Sequence, residues 1–268
     1  MKFLKSAALL LLAGCLCGCT AFVTYTAQPG ELPAPPAPEV IVSAPPVEEP
    51  SPTPTLPPYD YTQPVPEAEE VGPEWFSDAV FVGDSRTDGL RLYGGISEAE
   101  FICYKGLICQ QFSTKECITL DGAKVTAEAA LKAKSYGKVF IMLGLNEMGF
   151  APEEFAKDYA TLIDSVRAAQ PEAALYFQAN LPINDQRRME AGLASYFNNE
   201  KVATFNAEIA RLCAEKQVYF VNVPEGVCDE TGQLPYDKTH DGVHLSKSWY
   251  QQWYAYLRTH TVPTEETL

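Results

Sequence analysis

The sequence predicts an α/β domain, a three-layer α/β/α sandwich around a five-stranded parallel sheet, carried by residues 74–262 of a 268-residue chain. Three observations predict it. Short runs rich in β-branched and aromatic residues alternate with longer helical patterns, the signature of repeated βαβ units. The runs themselves, of which VFIML at 139–143 is the type, are almost continuously apolar, so both faces of the sheet need a helical cover. Finally, 15 of the 21 prolines crowd between Pro29 and Pro73, which confines the globular part to the chain beyond them.

Strands are expected at Ala79–Gly83, Phe101–Tyr104, Lys138–Leu143, Ala174–Ala179 and Val218–Val223. Between them fit a helix opening just after Ser85, then Thr126–Ser135, Pro152–Ala169, Val202–Lys216 and Lys247–Thr259. Pro152 suits a first turn, where its missing N–H is no loss, and Glu153 there faces the positive end of the helix dipole. Trp249, Trp253 and Tyr256 recur at helical spacing, with Tyr250 and Tyr254 as a second stripe, and are read as core against the sheet. Trp75 and Phe76, just ahead of the first strand, are expected to seal the domain edge. About 190 residues bury a core without disulfide or metal staples. In such sheets the loops leaving the carboxyl ends of the strands build the site, so reactive residues are sought directly after strands.

Charge excludes one class of partner. The net formal charge is −15, and no Lys or Arg occurs between Lys5 and Arg86. Nine acids lie between Glu31 and Glu74, and the chain beyond them carries 26 acids against 18 bases. With no basic run to follow a phosphate backbone, nucleic acid is not an expected partner.

Residues 1–19 carry an address. Lys2 and Lys5 precede an apolar stretch from Ala7 to Ala13, the layout of an export signal and too short for a membrane span. Leu12-Ala13-Gly14-Cys15 then resembles the lipobox of bacterial lipoproteins, which implies acylation of Cys15 and cleavage before it. Leu16-Cys17-Gly18-Cys19 is a second, weaker lipobox, so Cys19 stands as the alternative. The expectation is a domain exported and lipid-anchored to the extracytoplasmic face of a bacterial membrane. Residues 20–73, with stretches such as PAPPAPEV, favour extended polyproline II and form a Pro-rich linker reaching on the order of 150 Å if fully extended. Residues 263–268 are a short tail.

The first strand runs into Phe81-Val82-Gly83-Asp84-Ser85-Arg86-Thr87. A Ser at a strand-to-helix turn presents its hydroxyl to the site, but a hydroxyl is a weak nucleophile until a base takes its proton. The chain offers three histidines. His260, at the end of the last helix, is expected to be solvated or to face the helix dipole. His240 and His244 lie in Thr239-His240-Asp241-Gly242-Val243-His244-Leu245-Ser246, after the fifth strand, and Asp241 stands three residues before His244. At that spacing in a turn a carboxylate reaches one imidazole nitrogen and leaves the other free for Ser85.

Gly83-Asp84-Ser85 near the domain start and Asp241-x-x-His244 near its end together resemble the SGNH/GDSL hydrolases. The resemblance spans the domain and implies a flavodoxin-like fold and ester hydrolysis through an acyl-enzyme, with Ser85 as nucleophile, His244 as base and Asp241 behind it. It implies further that the oxyanion is held by the Ser85 N–H, by the N–H of Gly106 in Tyr104-Lys105-Gly106-Leu107, and by the Asn146 amide in Gly144-Leu145-Asn146-Glu147. Glu147 departs from the Gly-x-Asn-Asp usual in the family, which puts the hydrogen bonding of that loop in question.

No Walker loop and no His-Glu-x-x-His motif is present, and three histidines in two places make a poor metal cluster, so neither cofactor nor metal is expected. Nor is Gly-x-Ser-x-Gly found around Ser85. Cys103, Cys109, Cys117, Cys213 and Cys228 are odd in number; a bridge at Cys103 or Cys109 would stiffen the loop around Gly106, while the alternative is that several are small buried apolar residues. The expected substrate is a short acyl ester, such as an acetyl ester, of a cell-envelope or extracellular glycan. An O-acyltransferase with the same triad and a catalytically silent glycan-binding module are the alternatives.

Overall fold

A computed structural model describes residues 59–262. The expected signal segment with Cys15 and Cys19, the expected linker as far as residue 58 and the tail lie outside the described residues. In chain order the strands are β1 (Ala79–Gly83), β2 (Glu100–Cys103), the short β3 (Ile118–Leu120) and β4 (Ala123–Val125), β5 (Lys138–Met142), β6 (Ala174–Gln178) and β7 (Tyr219–Val221). The helices are α1 (Ser85–Tyr93), α2 (Ala127–Lys132), α3 (Pro152–Ala169), α4 (Asp185–Glu190), α5 (Asn199–Lys216), α6 (Pro224–Val227) and α7 (Lys247–Thr259).

Five strands form one sheet in the order β2-β1-β5-β6-β7, every neighbouring pair parallel. The chain steps from β1 to the edge at β2 and then returns across to β5, so strand order reverses beside β1, where α/β sheets open a crevice. Alternation along the strands separates two cores. Val80, Val82, Val139, Ile141 and Phe177 join the core that α2, α3 and α5 cover. Phe81, Phe140, Met142 and Tyr176 join the core that α1 and α7 cover. These are the three expected layers.

The parallel register lines up an aromatic ladder across the second face. Phe101, Phe81, Phe140, Tyr176 and Tyr219 are cross-strand partners in sequence, and the ring centroids of Phe81 and Phe140 lie 4.7 Å apart, those of Phe140 and Tyr176 4.6 Å. Each such pair adds roughly 0.5–1.5 kcal/mol beyond its buried area. Trp253 is fully buried against this face and donates from Nε1 to Gln178 Oε1 at 2.9 Å, which satisfies two polar groups inside an apolar layer.

Element boundaries moved for local reasons. The helix expected from Val202 starts at Asn199, because the Asn198 side chain accepts from the Lys201 N–H and caps it. The strand expected to reach Val223 ends at Val221, since Val223 already has helical angles as the cap of α6. A hairpin absent from the expected elements, β3–β4, turns at Asp121-Gly122 with φ +49° and +81°. That dipeptide is the preferred two-residue turn for a hairpin, so the signal was present in the sequence.

The linker expected to run to residue 73 also ends sooner. From Tyr59 onward it straps the domain: Val65 is buried, its N–H donates to Phe220 O at 2.8 Å, and Ala68 and Val71 donate to Thr259 O and Arg258 O. Arg258 returns an ion pair to Glu70 at 3.0 Å. Proline marks a segment that is neither helix nor central strand. It does not prevent that segment from covering the open edge of β7, where an unpaired row of carbonyls and amides would otherwise stand.

Candidate active site

Strand β1 delivers Ser85 to the carboxyl edge of the sheet as the first residue of α1. Asp84 caps that helix by accepting from the Arg86 N–H at 2.9 Å. A side chain at Gly83 would collide with the carbonyl of Met142 on β5 and with Thr87, so only glycine lets the turn sit this tightly on the sheet. From the other end of the chain, the loop before α7 brings His244 to meet it: Ser85 Oγ lies 2.9 Å from His244 Nε2. Gly242, at φ +85°, makes the turn, and a Cβ there would strike the backbone of Asn184 and Arg188 in the α4 segment.

His244 Nδ1 lies 2.7 Å from Asp241 Oδ2, while Asp241 Oδ1 accepts the backbone N–H groups of Val243 and His244 at 2.9 and 2.8 Å. Partial burial alone would raise the Asp241 pKa. The bonds from the His244 ring and from the two amides outweigh it and hold the carboxyl well below the usual range. An ionised carboxylate only accepts, so the imidazole proton sits on Nδ1, and Nε2 is left to accept from the Ser85 hydroxyl. His240 makes no contact with this chain of bonds; it lines the cleft nearby. His260 is buried at the end of α7, stacked on Tyr256, with Nδ1 2.9 Å from Tyr256 O, so of its two expected settings it takes the one facing the helix carbonyls.

The three expected oxyanion donors follow three different strands. Gly106, after β2, has φ +78° and open space where a side chain would be, so its glycine serves backbone angle rather than close approach. Asn146 follows β5 and donates from Nδ2 to Asp84 Oδ2 at 2.9 Å and to Leu107 O at 3.2 Å. Asp84 therefore does more than cap a helix: it fixes the amide of Asn146 beside Ser85.

A family model for GDSL-like lipases and acylhydrolases matches residues 81–252, a span that opens in β1 and closes in α7 around the two halves of this site. The chain belongs to this family. Membership makes it a hydrolase of the esterase and acylhydrolase kind. Among solved structures, a Streptococcus pneumonia protein provisionally named a platelet activating factor aligns over 68% of this chain and 82% of its own, at 24% identity and a TM-score of 0.56. A GDSL-like lipase from Bacteroides thetaiotaomicron aligns over 68% and 86% at 18% identity and 0.50. A Parabacteroides merdae protein, provisionally a GDSL-like lipase, aligns over 74% and 99% at 13% identity and 0.54. These likenesses establish a shared fold. No curated protein sequence matches the chain significantly.

Two residues of the hydrolase site had no role assigned from sequence. Arg86 is fully buried; its Nε donates to Val243 O at 3.0 Å and Nη1 to Leu181 O at 2.6 Å. One side chain next to the nucleophile thus pins the backbone beside the base. A helical projection of α1 would have found it, since Arg86 and the buried Leu90 are four residues apart on one face. Glu147 is the second. Its Oε1 accepts the Cys109 N–H at 2.7 Å, a reach that couples the loop after β5 to the loop after β2 and that a shorter Asp would not have. Burial pushes its carboxyl up to about 7, against the pull of the Cys109 hydrogen bonds.

All five described cysteines are free thiols, so no bridge stiffens the Gly106 loop. Burial raises each of them, Cys228 to about 12, and keeps them protonated and inert. Over Ser85 and His244 opens a cleft of about 550 Å³ that runs along one face of α1, past Gly89, Leu92 and Tyr93, with Tyr250 opposite.

Proposed function

We propose that the hydrolase cleaves a carboxylic ester through an acyl-enzyme on Ser85. The observation that carries this reading is the unbroken chain Ser85 Oγ, His244, Asp241, at 2.9 and 2.7 Å. As Ser85 Oγ bonds to the ester carbonyl carbon, its proton passes to His244 Nε2, and Asp241 stabilises the imidazolium. Negative charge on the former carbonyl oxygen is met by the N–H groups of Ser85 and Gly106 and by Asn146, whose longer bond to Leu107 O is the one to yield. A preorganised donor of this kind contributes roughly 3–4 kcal/mol to the transition state. Collapse breaks the bond to the alcohol oxygen, which leaves with the proton from His244. Water, deprotonated by His244, then attacks the acyl carbon and frees Ser85 and the acid.

The substrate class we propose is a short acyl ester, such as an acetyl ester, of a cell-envelope or extracellular glycan. What supports it is the export signal and lipobox at Cys15, which would put the domain on the extracytoplasmic face of a membrane among such polymers. The test is labelling of the purified protein with a fluorophosphonate, followed by a panel of acylated glycans with and without an acceptor sugar. Labelling of Ser85 and release of free acid are expected. Acyl transfer to the acceptor in place of release would make the protein a transferase, and an unlabelled Ser85 with glycan affinity retained would make it a binding module.

A further inference from the structure

Beyond the triad, the cleft is lined by two ammonium groups, Lys105 and Lys247, with His240 beside them. Lys247 Nζ sits 5.1 Å from the centroid of the Tyr93 ring, itself part of the lining. Among the described residues neither lysine has a carboxylate within ion-pair distance, a state that Lys115, Lys124, Lys157 and Lys201 share and that Lys132, Lys134, Lys138, Lys216 and Lys238 do not. The lining holds one carboxylate, Asp88, and Arg91 neutralises it at 2.8 Å. Asp241, behind His244, keeps its charge beside a neutral imidazole and offsets one positive charge, which leaves Lys105, Lys247 and Arg91 against Asp88 and Asp241 with one net positive charge. The chain as a whole carries a formal −15, so its field repels anions, and this cleft reverses the sign locally.

The apolar part of the cleft has a direction. Ser85, Asp88, Gly89, Leu92 and Tyr93 follow a helical repeat along α1, and Leu92 and Tyr93 are two of the large apolar side chains the domain leaves exposed. A wall of this length, about 12 Å at 1.5 Å per residue, is longer than an acetyl group needs. The rest of the substrate has to supply something apolar for α1 and something anionic for the lysines.

We infer that the cleft selects esters bearing a negative charge, a carboxylate or phosphate held by Lys105 and Lys247 while the neighbouring carbon skeleton lies along α1. An ammonium is a point charge that accepts either anion, so the shared chemistry is the negative charge near the scissile carbonyl. That charge belongs either to the acyl part, as in a dicarboxylic half-ester, or to the alcohol part, as in an acylated uronic acid. The inference rests on the esterase reading above and is tested so that the two fail separately.

The experiment measures kcat/KM for two matched pairs: methyl 4-nitrophenyl succinate against mono-4-nitrophenyl succinate, and an acetylated methyl glucoside against the acetylated methyl glucuronide. One pair should favour its anionic member by about tenfold at low salt, the sum of two partly exposed ion pairs. Raising the ionic strength should shrink that preference, because screening shortens the reach of exposed charges. Lys105→Gln and Lys247→Gln should each reduce the preference about threefold and the double variant should abolish it. Lys105→Arg and Lys247→Arg should restore most of it, and Lys157→Gln, an equal charge change on α3, should leave it unaltered. Ser85 labelled by fluorophosphonate with no anionic preference in either pair, or a preference that survives the double variant, overturns the inference and spares the esterase. Ser85 unlabelled and no ester cleaved removes both.

Discussion

Replacing Glu147 by Gln should change how stability depends on pH. The carboxyl is buried and its pKa rises from the ordinary 4.5 to about 7 in the folded protein, with desolvation as the first cause. Gln keeps the shape and the acceptor for the Cys109 N–H, but it does not ionise. A folded pKa above the unfolded one means that the folded state holds the proton more tightly. The associated stability is therefore fully present below about pH 4.5 and is lost as pH rises through about 7. A shift of this size, at 1.36 kcal/mol per pKa unit, amounts to on the order of 3 kcal/mol. Urea unfolding of the parent and Glu147→Gln at pH 5 and pH 8 isolates this group, because every other titration cancels in the difference. The variant should gain on the parent by up to that amount between the two pH values. A difference between the proteins that is the same at both pH values would refute the buried-acid argument, whatever its absolute size.

Ser85→Ala and His244→Ala should each lower kcat/KM for an activated ester by several orders of magnitude, with Asp241→Asn costing as much as His244→Ala or less. His240→Ala should do far less than His244→Ala, and equal damage in a steady-state assay would reassign the base. Arg86→Met should lower kcat more than KM rises, because the loop carrying His244 loses its bond at Val243 O and with it the tie through Arg86 to Leu181 O after β6. Arg86→Lys should recover only part, and full activity in Arg86→Met would show that the loop holds itself. Val65→Ala should cost about 1.5 kcal/mol in urea unfolding, from two buried methyl groups. A chain that starts at residue 74 should lose more than that relative to one that starts at residue 59, and equal stability of the two would mean that the strap contributes nothing.

Much of the fold could be read in one dimension because its signals are local. Pro152–Ala169 and Lys247–Thr259 carry an apolar stripe at helical period, and Ala79–Gly83 is a short apolar run closed by a turn; all three occur with the expected bounds. Failures came where a neighbour in space decided the outcome. Residues 59–73 read as linker because proline and acids offer no periodicity, yet Val65 finds the open edge of β7. Asp121-Gly122 was a readable turn, but its strands are three residues each and too short to register as a pattern.

The site divides along the same line. Residue type and order already specified a hydroxyl after the first strand, a His and an Asp three apart near the end, and an Asn after a central strand. Those are chemical requirements of acyl transfer, and sequence expresses them directly. That Ser85 and His244, 159 residues apart, stand 2.9 Å from each other is a property of the sheet order, which returns the chain to the carboxyl edge of β1. The same holds for Arg86 and Glu147. A charged side chain becomes a brace only when folding removes its water and leaves a distant carbonyl or amide as its partner, and that partner is chosen by tertiary packing alone.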